Sequence, residues 1–326
     1  MSDAARFPII VRPLVESDLA AADRIIRLAF GTFLGLPDPL RHMGDADYAR
    51  TRWKADPSAV LAAEDNGRFI GSNFATNWGS FGFFGPLTVD PKYWERGVAQ
   101  QLLAPTMDLF NRWGNRHLGL YTFAQSAKHV TLYQKFGFWP RDLVATMVRE
   151  VGGASAQSPP DTQLFSAALS EDRPARLAAC REVTDANFEG LDVEREIRAV
   201  CEQKLGDTIL VWDGASLVAF AVCHVGAGTE AGTGVCYVKF AAVRPSFGSG
   251  SRARVNFTRL LDAVESFART AGAPTVKAGV NLARREAFRE MFARGFRTQT
   301  QGVAMESGGP DSGYNRAGVY ILDDWR

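Results

Sequence analysis

Leu87-Thr88-Val89-Asp90-Pro91-Lys92-Tyr93-Trp94-Glu95-Arg96-Gly97-Val98-Ala99-Gln100-Gln101-Leu102-Leu103 is the stretch from which the rest of the chain is read. The apolar run that ends at Val89 reads as a strand. Pro91 stops further pairing because it has no N–H to give a ladder, and Gly97 with Ala99 lets the backbone approach a ligand closely as a helix opens. A helix N-terminus leaves amides without intrahelical acceptors, and such amides face anions. The spacing therefore predicts a strand, a tight glycine turn and a helix start able to hold a phosphate.

A second segment, Leu132-Tyr133-Gln134-Lys135-Phe136-Gly137-Phe138, ends another helix and places a phenol one turn before the terminating glycine. A glycine before a helix is by itself usually only a turn. Taken together at this spacing, the two segments resemble the GNAT superfamily of acyl-CoA-dependent N-acyltransferases.

The resemblance implies an acetyl-CoA site along Leu87, Thr88 and Val89, over Trp94, Glu95, Arg96, Gly97, Val98, Ala99 and Gln100, and beside Ser126. In that family main-chain groups at positions matching Leu87 and Val89 pair with the pantetheine arm like an added strand. Gly97 and Ala99 match the pyrophosphate loop, Trp94 replaces its usual first polar residue, and Arg96 is a candidate for the missing cation. Ser126 stands where an Asn is common. Tyr133 matches the phenol that protonates the departing thiolate, a role worth on the order of 10² to 10⁴ in rate.

Length and composition set the frame. At 326 residues the chain exceeds the usual reach of one hydrophobic core, and 46% hydrophobic with 22% charged residues is ordinary for a globular protein. The 37 Lys+Arg against 36 Asp+Glu leave a net charge of +1. Residues 1–150 hold 17 basic and 15 acidic side chains, so neither half has the basic excess that nucleic-acid binding exploits. No nucleic-acid partner and no membrane partner is expected. Cys180, Cys201, Cys223 and Cys236 show no CxxC spacing, which argues for thiols in a reducing compartment and against a zinc or disulfide frame. No metal ligand set is visible in the four scattered histidines. Met1-Ser2-Asp3-Ala4-Ala5-Arg6 lacks the apolar run of a signal peptide, so a cytoplasmic location is expected.

Along the chain, strand patterns at 8–14, 60–63, 69–74 and 81–89 surround helices predicted over 18–30 and 47–53. A helix over 97–113 containing Pro105, a strand at 118–123, a helix at 126–135 and closing strands at Phe138 and 143–148 follow. Residues 151–160 have linker composition. The order then begins again: Val243-Arg244-Pro245 mirrors Val89-Asp90-Pro91, with Pro245 standing 154 positions after Pro91 and Phe296 standing 158 after Phe138. Such drift marks duplication. The predicted class is α/β, more narrowly α+β: two tandem GNAT-like domains, each a mixed and mostly antiparallel sheet flanked by helices. Residues 1–150 form a GNAT domain with the acetyl-CoA site, 151–160 a linker, and 161–326 a degenerate second GNAT-like domain.

The second half has Met291 where the first has Tyr133, and Pro245 to Ala253 carry glycines out of register with the first loop. A thioether cannot give a proton, so catalysis is assigned to the first half. The expected function is an acetyl-CoA-dependent N-acetyltransferase acting by direct transfer on a primary amine of a small molecule or peptide. The loop Gly31 to Leu36 is expected to shape the acceptor site. Glu64, Asp65 and Asp38 are candidates for a general base by loop position only. The alternative is a non-catalytic CoA-binding or sensory protein; a nicotinamide dehydrogenase is disfavoured because the glycines follow a meander.

Overall fold

The computed structural model describes residues 9–152, 159–246, 251–307 and 313–326. The N-terminal segment read for a signal peptide, positions 153–158 of the linker and positions 247–250 of the second glycine loop lie outside the described residues.

The first half runs β1 (Ile10–Pro13), α1 (Leu19–Phe33), α2 (Tyr48–Ala55), β2 (Val60–Asp65), β3 (Arg68–Trp78), β4 (Phe81–Val89), α3 (Val98–Trp113), β5 (His117–Thr122), α4 (Ala127–Gln134) and β6 (Trp139–Glu150). The second runs β7 (Thr162–Leu164), α5 (Arg173–Asn187), α6 (Glu194–Gln203), β8 (Gly206–Asp213), β9 (Ser216–Gly226), β10 (Gly232–Val243), α7 (Ser251–Thr270), β11 (Thr275–Asn281), α8 (Arg285–Ala293), β12 (Arg297–Ser307) and β13 (Ile321–Leu322).

Local chemistry accounts for several boundaries. Asp47 caps α2 by accepting the Arg50 N–H at 2.9 Å. Asp18 does not cap α1 with its side chain; it accepts the Val15 N–H and pairs with Arg12. Pro105 lies inside α3, which continues through it to an αL cap at Gly114. One expectation needs correction: the closing strands expected at Phe138 and 143–148 are one long strand, β6.

The strands form a single sheet in the order β1-β2-β3-β4-β5-β12-β6-β11-β10-β9-β8-β7, with β13 added against β10. The two modules exchange their last strands. β12, from the second half, pairs antiparallel with β5, while β6, from the first half, pairs antiparallel with β11, and β6 and β12 pair with each other at the centre.

The repeat is visible in the register. Phe81–Phe84 of β4 lie parallel to His117–Leu120 of β5, and Val235–Val238 of β10 lie parallel to Thr275–Ala278 of β11. The β10 range stands 154 positions after the β4 range, and the β11 range 158 after the β5 range. The four added residues match the greater length of α7, 20 residues against 16 in α3.

Each module keeps helices on both faces of its sheet. α3 and α4 cover one face of the first, with Leu102, Leu103, Phe110 and Phe138 buried, and α1 and α2 cover the other through Ile26, Ala49 and Phe74. In the second, α7 and α8 cover one face through a core that also contains Ala145 and Met147 of β6. The remaining core joins the halves, packing Trp78, Phe81 and Phe83 against Phe240, Tyr314 and Trp325. Burial of these aromatic groups helps to keep the modules together.

Candidate functional site

The site begins with a fault in β4. Between the pairs Asn73↔Leu87 and Ala75↔Phe84, β4 carries one residue more than β3, a bulge at Gly85-Pro86 that bends the strand. β4 therefore leaves β5 after Phe84. Leu87, Thr88 and Val89 keep β3 on one side and line a cavity of about 1310 Å³ on the other. The Trp94 indole N–H donates to the Val89 carbonyl at 2.8 Å, so the residue replacing the family's usual polar group closes one acceptor at the end of the strand.

The turn that follows is shaped by one side-chain cap and two left-handed residues. Asp90 accepts the Lys92 N–H at 3.0 Å, and both Glu95 (φ 66°) and Gly97 (φ 79°) are left-handed, a conformation that favours glycine at 97. The first intrahelical bond of α3 runs from the Gln101 N–H to the Gly97 carbonyl, 3.2 Å. The N–H groups of Val98, Ala99 and Gln100 precede it, and these residues line the cavity with Trp94, Glu95 and Gly97. Arg96 does not line it; its guanidinium sits 4.9 Å over the Tyr93 ring. The cations at this mouth are Lys128, 3.2 Å from Glu95 and 5.8 Å over Trp94, and Lys135. Sequence reading missed both, although Lys128 follows the Ser126 cap by two residues.

Ser126 caps α4 by accepting the His129 N–H at 3.4 Å and lines the cavity. Two turns into the helix, Tyr133 is buried, with its ring 5.7 Å from Phe84 and its hydroxyl hydrogen-bonded with the Thr122 side chain. Burial pushes the phenol well above its ordinary pKa, and the Thr122 contact only partly offsets this. His129, one turn earlier, packs 4.9 Å from Phe33, and burial lowers its pKa. His42 also lines the cavity and is lowered by burial, then by Arg27 and Lys277. Of the phenylalanines in β4, Phe81 and Phe83 are core and Phe84 lines the cavity.

Glu64, Asp65 and Asp38 do not line the cavity, and Glu64 is paired with Arg12. The buried carboxylate that does is Glu230, from the second module. Arg52 grips it with two bonds of 3.0 and 2.8 Å, Lys239 pairs with it as well, and Arg52 also donates to the Gly85 carbonyl at the bulge. Burial alone would raise the Glu230 pKa, but the two cations overcome it and hold the carboxyl below the usual range. Among the described residues no group of three or more His, Cys, Asp or Glu is placed to hold a metal ion, and no helix is long and apolar enough to cross a membrane. Cys180, Cys223 and Cys236 are buried free thiols and Cys201 is half-buried.

Residues 26–138 match the model of the acetyltransferase (GNAT) family, the span that holds the bulge, the turn and Tyr133. Over that span the chain is similar to a GNAT acetyltransferase domain. No curated protein matches the sequence. Among solved structures, an assigned acetyltransferase from Pyrococcus horikoshii aligns over 100% of this chain and 98% of its own, with a TM-score of 0.67 and 14% identity. A GCN5-related N-acetyltransferase from Sphaerobacter thermophilus aligns over 92% and 95%, with a TM-score of 0.57 and 16% identity. A tandem GNAT protein from the clavulanic acid biosynthesis pathway aligns over 93% and 100%, with a TM-score of 0.55 and 12% identity. At these identities the likeness is one of fold, and it extends the tandem GNAT architecture to the whole chain.

The second GNAT-like module has the same fault, filled differently. β10 carries its extra residue at Lys239, 154 positions after Gly85, and leaves β11 after Val238. Into that opening the chain inserts its own β13: Ala241 and Ala242 pair with Leu322 and Ile321, and the Val243 N–H donates to the Tyr320 carbonyl at 3.0 Å. These are the counterparts of Leu87, Thr88 and Val89. Met291, the counterpart of Tyr133, is fully buried in the core. In the first module the same strand edge faces the cavity.

Proposed function

We propose that this chain is a cytoplasmic acetyl-CoA-dependent N-acetyltransferase that transfers directly to a primary amine of a small molecule or peptide, with chemistry confined to residues 1–150. One observation carries the reading: the early amides of α3, the unpaired edge at Leu87–Val89 and Tyr133 all belong to one cavity. The α3 N-terminus, with its partial positive charge, suits the diphosphate of the thioester carrier. The edge suits its amide-bearing arm, as β13 suits the corresponding edge of the second module. Val89 would offer chiefly its N–H, since Trp94 already donates to its carbonyl.

Attack of a neutral amine on the thioester carbon forms a C–N bond, breaks the C–S bond to expel a thiolate, and releases the nitrogen's proton to solvent. Tyr133, kept protonated by burial, donates a hydrogen bond to that sulfur as charge develops. All of the residues matching the cofactor's family positions except Arg96 line this cavity. A second reading, CoA binding without turnover, draws on the pairing of the lining side-chain carboxylates, Glu230 with Arg52 and Lys239 and Glu95 with Lys128. Thiol release from acetyl-CoA across a panel of primary amines tests the choice. Amine-dependent release supports transfer, whereas CoA binding with no release supports the second reading.

A further inference from the structure

One wall of the cavity comes from the second module, with Glu230, Lys277, Gln299, Thr300, Trp325 and Arg326 among its lining residues. The strand exchange explains how they arrive there. With β12 and β6 between β5 and β11, one sheet face runs without interruption from the first module into the second. Tyr121 of β5 reaches across this floor over Gly302, where a Cβ would stand 2.3 Å from the ring, and its hydroxyl meets the Thr300 side chain. Thr300 pairs with Thr146, and Thr146 with Gly279. Lys277 stands two residues further along β11, a step of about 7 Å.

The charges along this wall are unequal in their partners. Both oxygens of Glu230 are taken by Arg52. Asp324 accepts the Tyr237 hydroxyl at 2.9 Å and pairs with Arg326 at 2.8 Å, while Arg326 lies 5.0 Å over the Tyr237 ring. Lys277 has no carboxylate within ion-pairing distance among the described residues. It is mostly removed from water, which lowers its pKa to about 8, with Arg326 adding to the effect and Asp324 opposing it. An ammonium held in a half-dry wall without a partner is costly, and an anion arriving there removes the cost.

We infer that Lys277 is a specificity residue that receives a carboxylate at the far end of the acceptor, so that the substrate class is an extended amine ending in a carboxylate, such as a short peptide or a long ω-amino acid. The inference rests on the acetyltransferase reading for the identity of the amine end. The Lys277 point charge, flanked by Gln299 and Thr300, suits a monoanion, and Arg326, whose Nε is 2.8 Å from Asp324 while its buried Nη2 has no hydrogen-bond partner among the described residues, is a second donor in the same lining.

Calorimetric binding of ω-amino acids of increasing length and of their carboxamides to the full-length chain, with and without CoA, tests this. An acid of suitable length is expected to bind at least tenfold more tightly than its carboxamide, with the preference lost in Lys277→Met and kept in Lys277→Arg. Equal binding of acid and carboxamide at every length, no binding of any acid, or a preference that survives Lys277→Met would overturn it. Thiol release is measured separately, and its failure would fall on the acetyltransferase reading and not on the carboxylate site.

Discussion

Tyr133 and His224 show what one side chain can decide. Both are buried, but burial acts oppositely on their charged forms. The phenol is kept protonated far above neutral pH, so it can supply a proton and cannot act as a base. Tyr133→Phe should lower kcat by roughly tenfold or more with little change in the KM for acetyl-CoA, because the lost interaction forms as the thiolate develops. Steady-state kinetics at saturating amine check this, and unchanged kcat would remove the acid role. His224 is held neutral in the native chain, its pKa lowered to about 3 by burial, with Lys239 and Arg52 adding to the effect and Glu230 opposing it. Its unfolded value is near 6.5, so between these limits the unfolded chain binds the extra proton. Stability is therefore full above about pH 6.5 and falls as pH drops, by up to about 1.4 kcal/mol per unit. Glu230, held below its ordinary range, works in the same direction at lower pH. The expected outcome is a Tm that falls between pH 6.5 and 4 and falls less steeply in His224→Gln.

At the scale of elements, the turn into α3 is the part most exposed to single changes. A Cβ on Gly97 would meet nothing closer than 3.8 Å, so the cost of Gly97→Ala is conformational and not steric. A left-handed non-glycine residue costs on the order of 1 to 2 kcal/mol, which the turn can relieve by moving its amides. Gly97→Ala should weaken CoA binding by roughly tenfold in calorimetry, with only a small fall in Tm; unchanged affinity would show that these amides do not hold the diphosphate. Much of this element was legible in the sequence. Pro91, Gly97 and the apolar spacing of α3 are local signals, and local signals survive into the fold. Trp94 was legible only as a departure from a pattern. Its bond to Val89 depends on how the turn folds back on β4, which spacing does not encode.

For the molecule as a whole, the exchange of β6 and β12 makes the modules interdependent. Each half lacks the strand that closes its own sheet, and an unpaired strand edge with a buried apolar face is an aggregation site. Arg52 and Glu230 add a buried ion pair across the halves, and losing one partner of such a pair costs about 3–5 kcal/mol. The full chain should therefore unfold in a single calorimetric transition. Residues 1–152 expressed alone should be insoluble or unfolded, and should recover structure when co-expressed with 159–326. Two independent transitions, or a stable isolated first half, would contradict the exchange.

The sequence by itself determined the duplicated α/β pattern, the strand-turn-helix at residue 97, the phenol at 133 and its replacement by Met291, because each is a matter of residue type at short spacing. Tertiary structure alone decided which strands close which sheet, that β13 fills the second opening, and that Lys277 and Glu230 reach the first module's cavity. The physical reason is range. Helix and turn signals come from neighbours a few residues away, whereas β6 and β12 have the same pattern and fit either sheet edge. The choice between those edges rests on long-range burial, shared among Trp78, Phe81, Phe240 and Trp325, which no local spacing records.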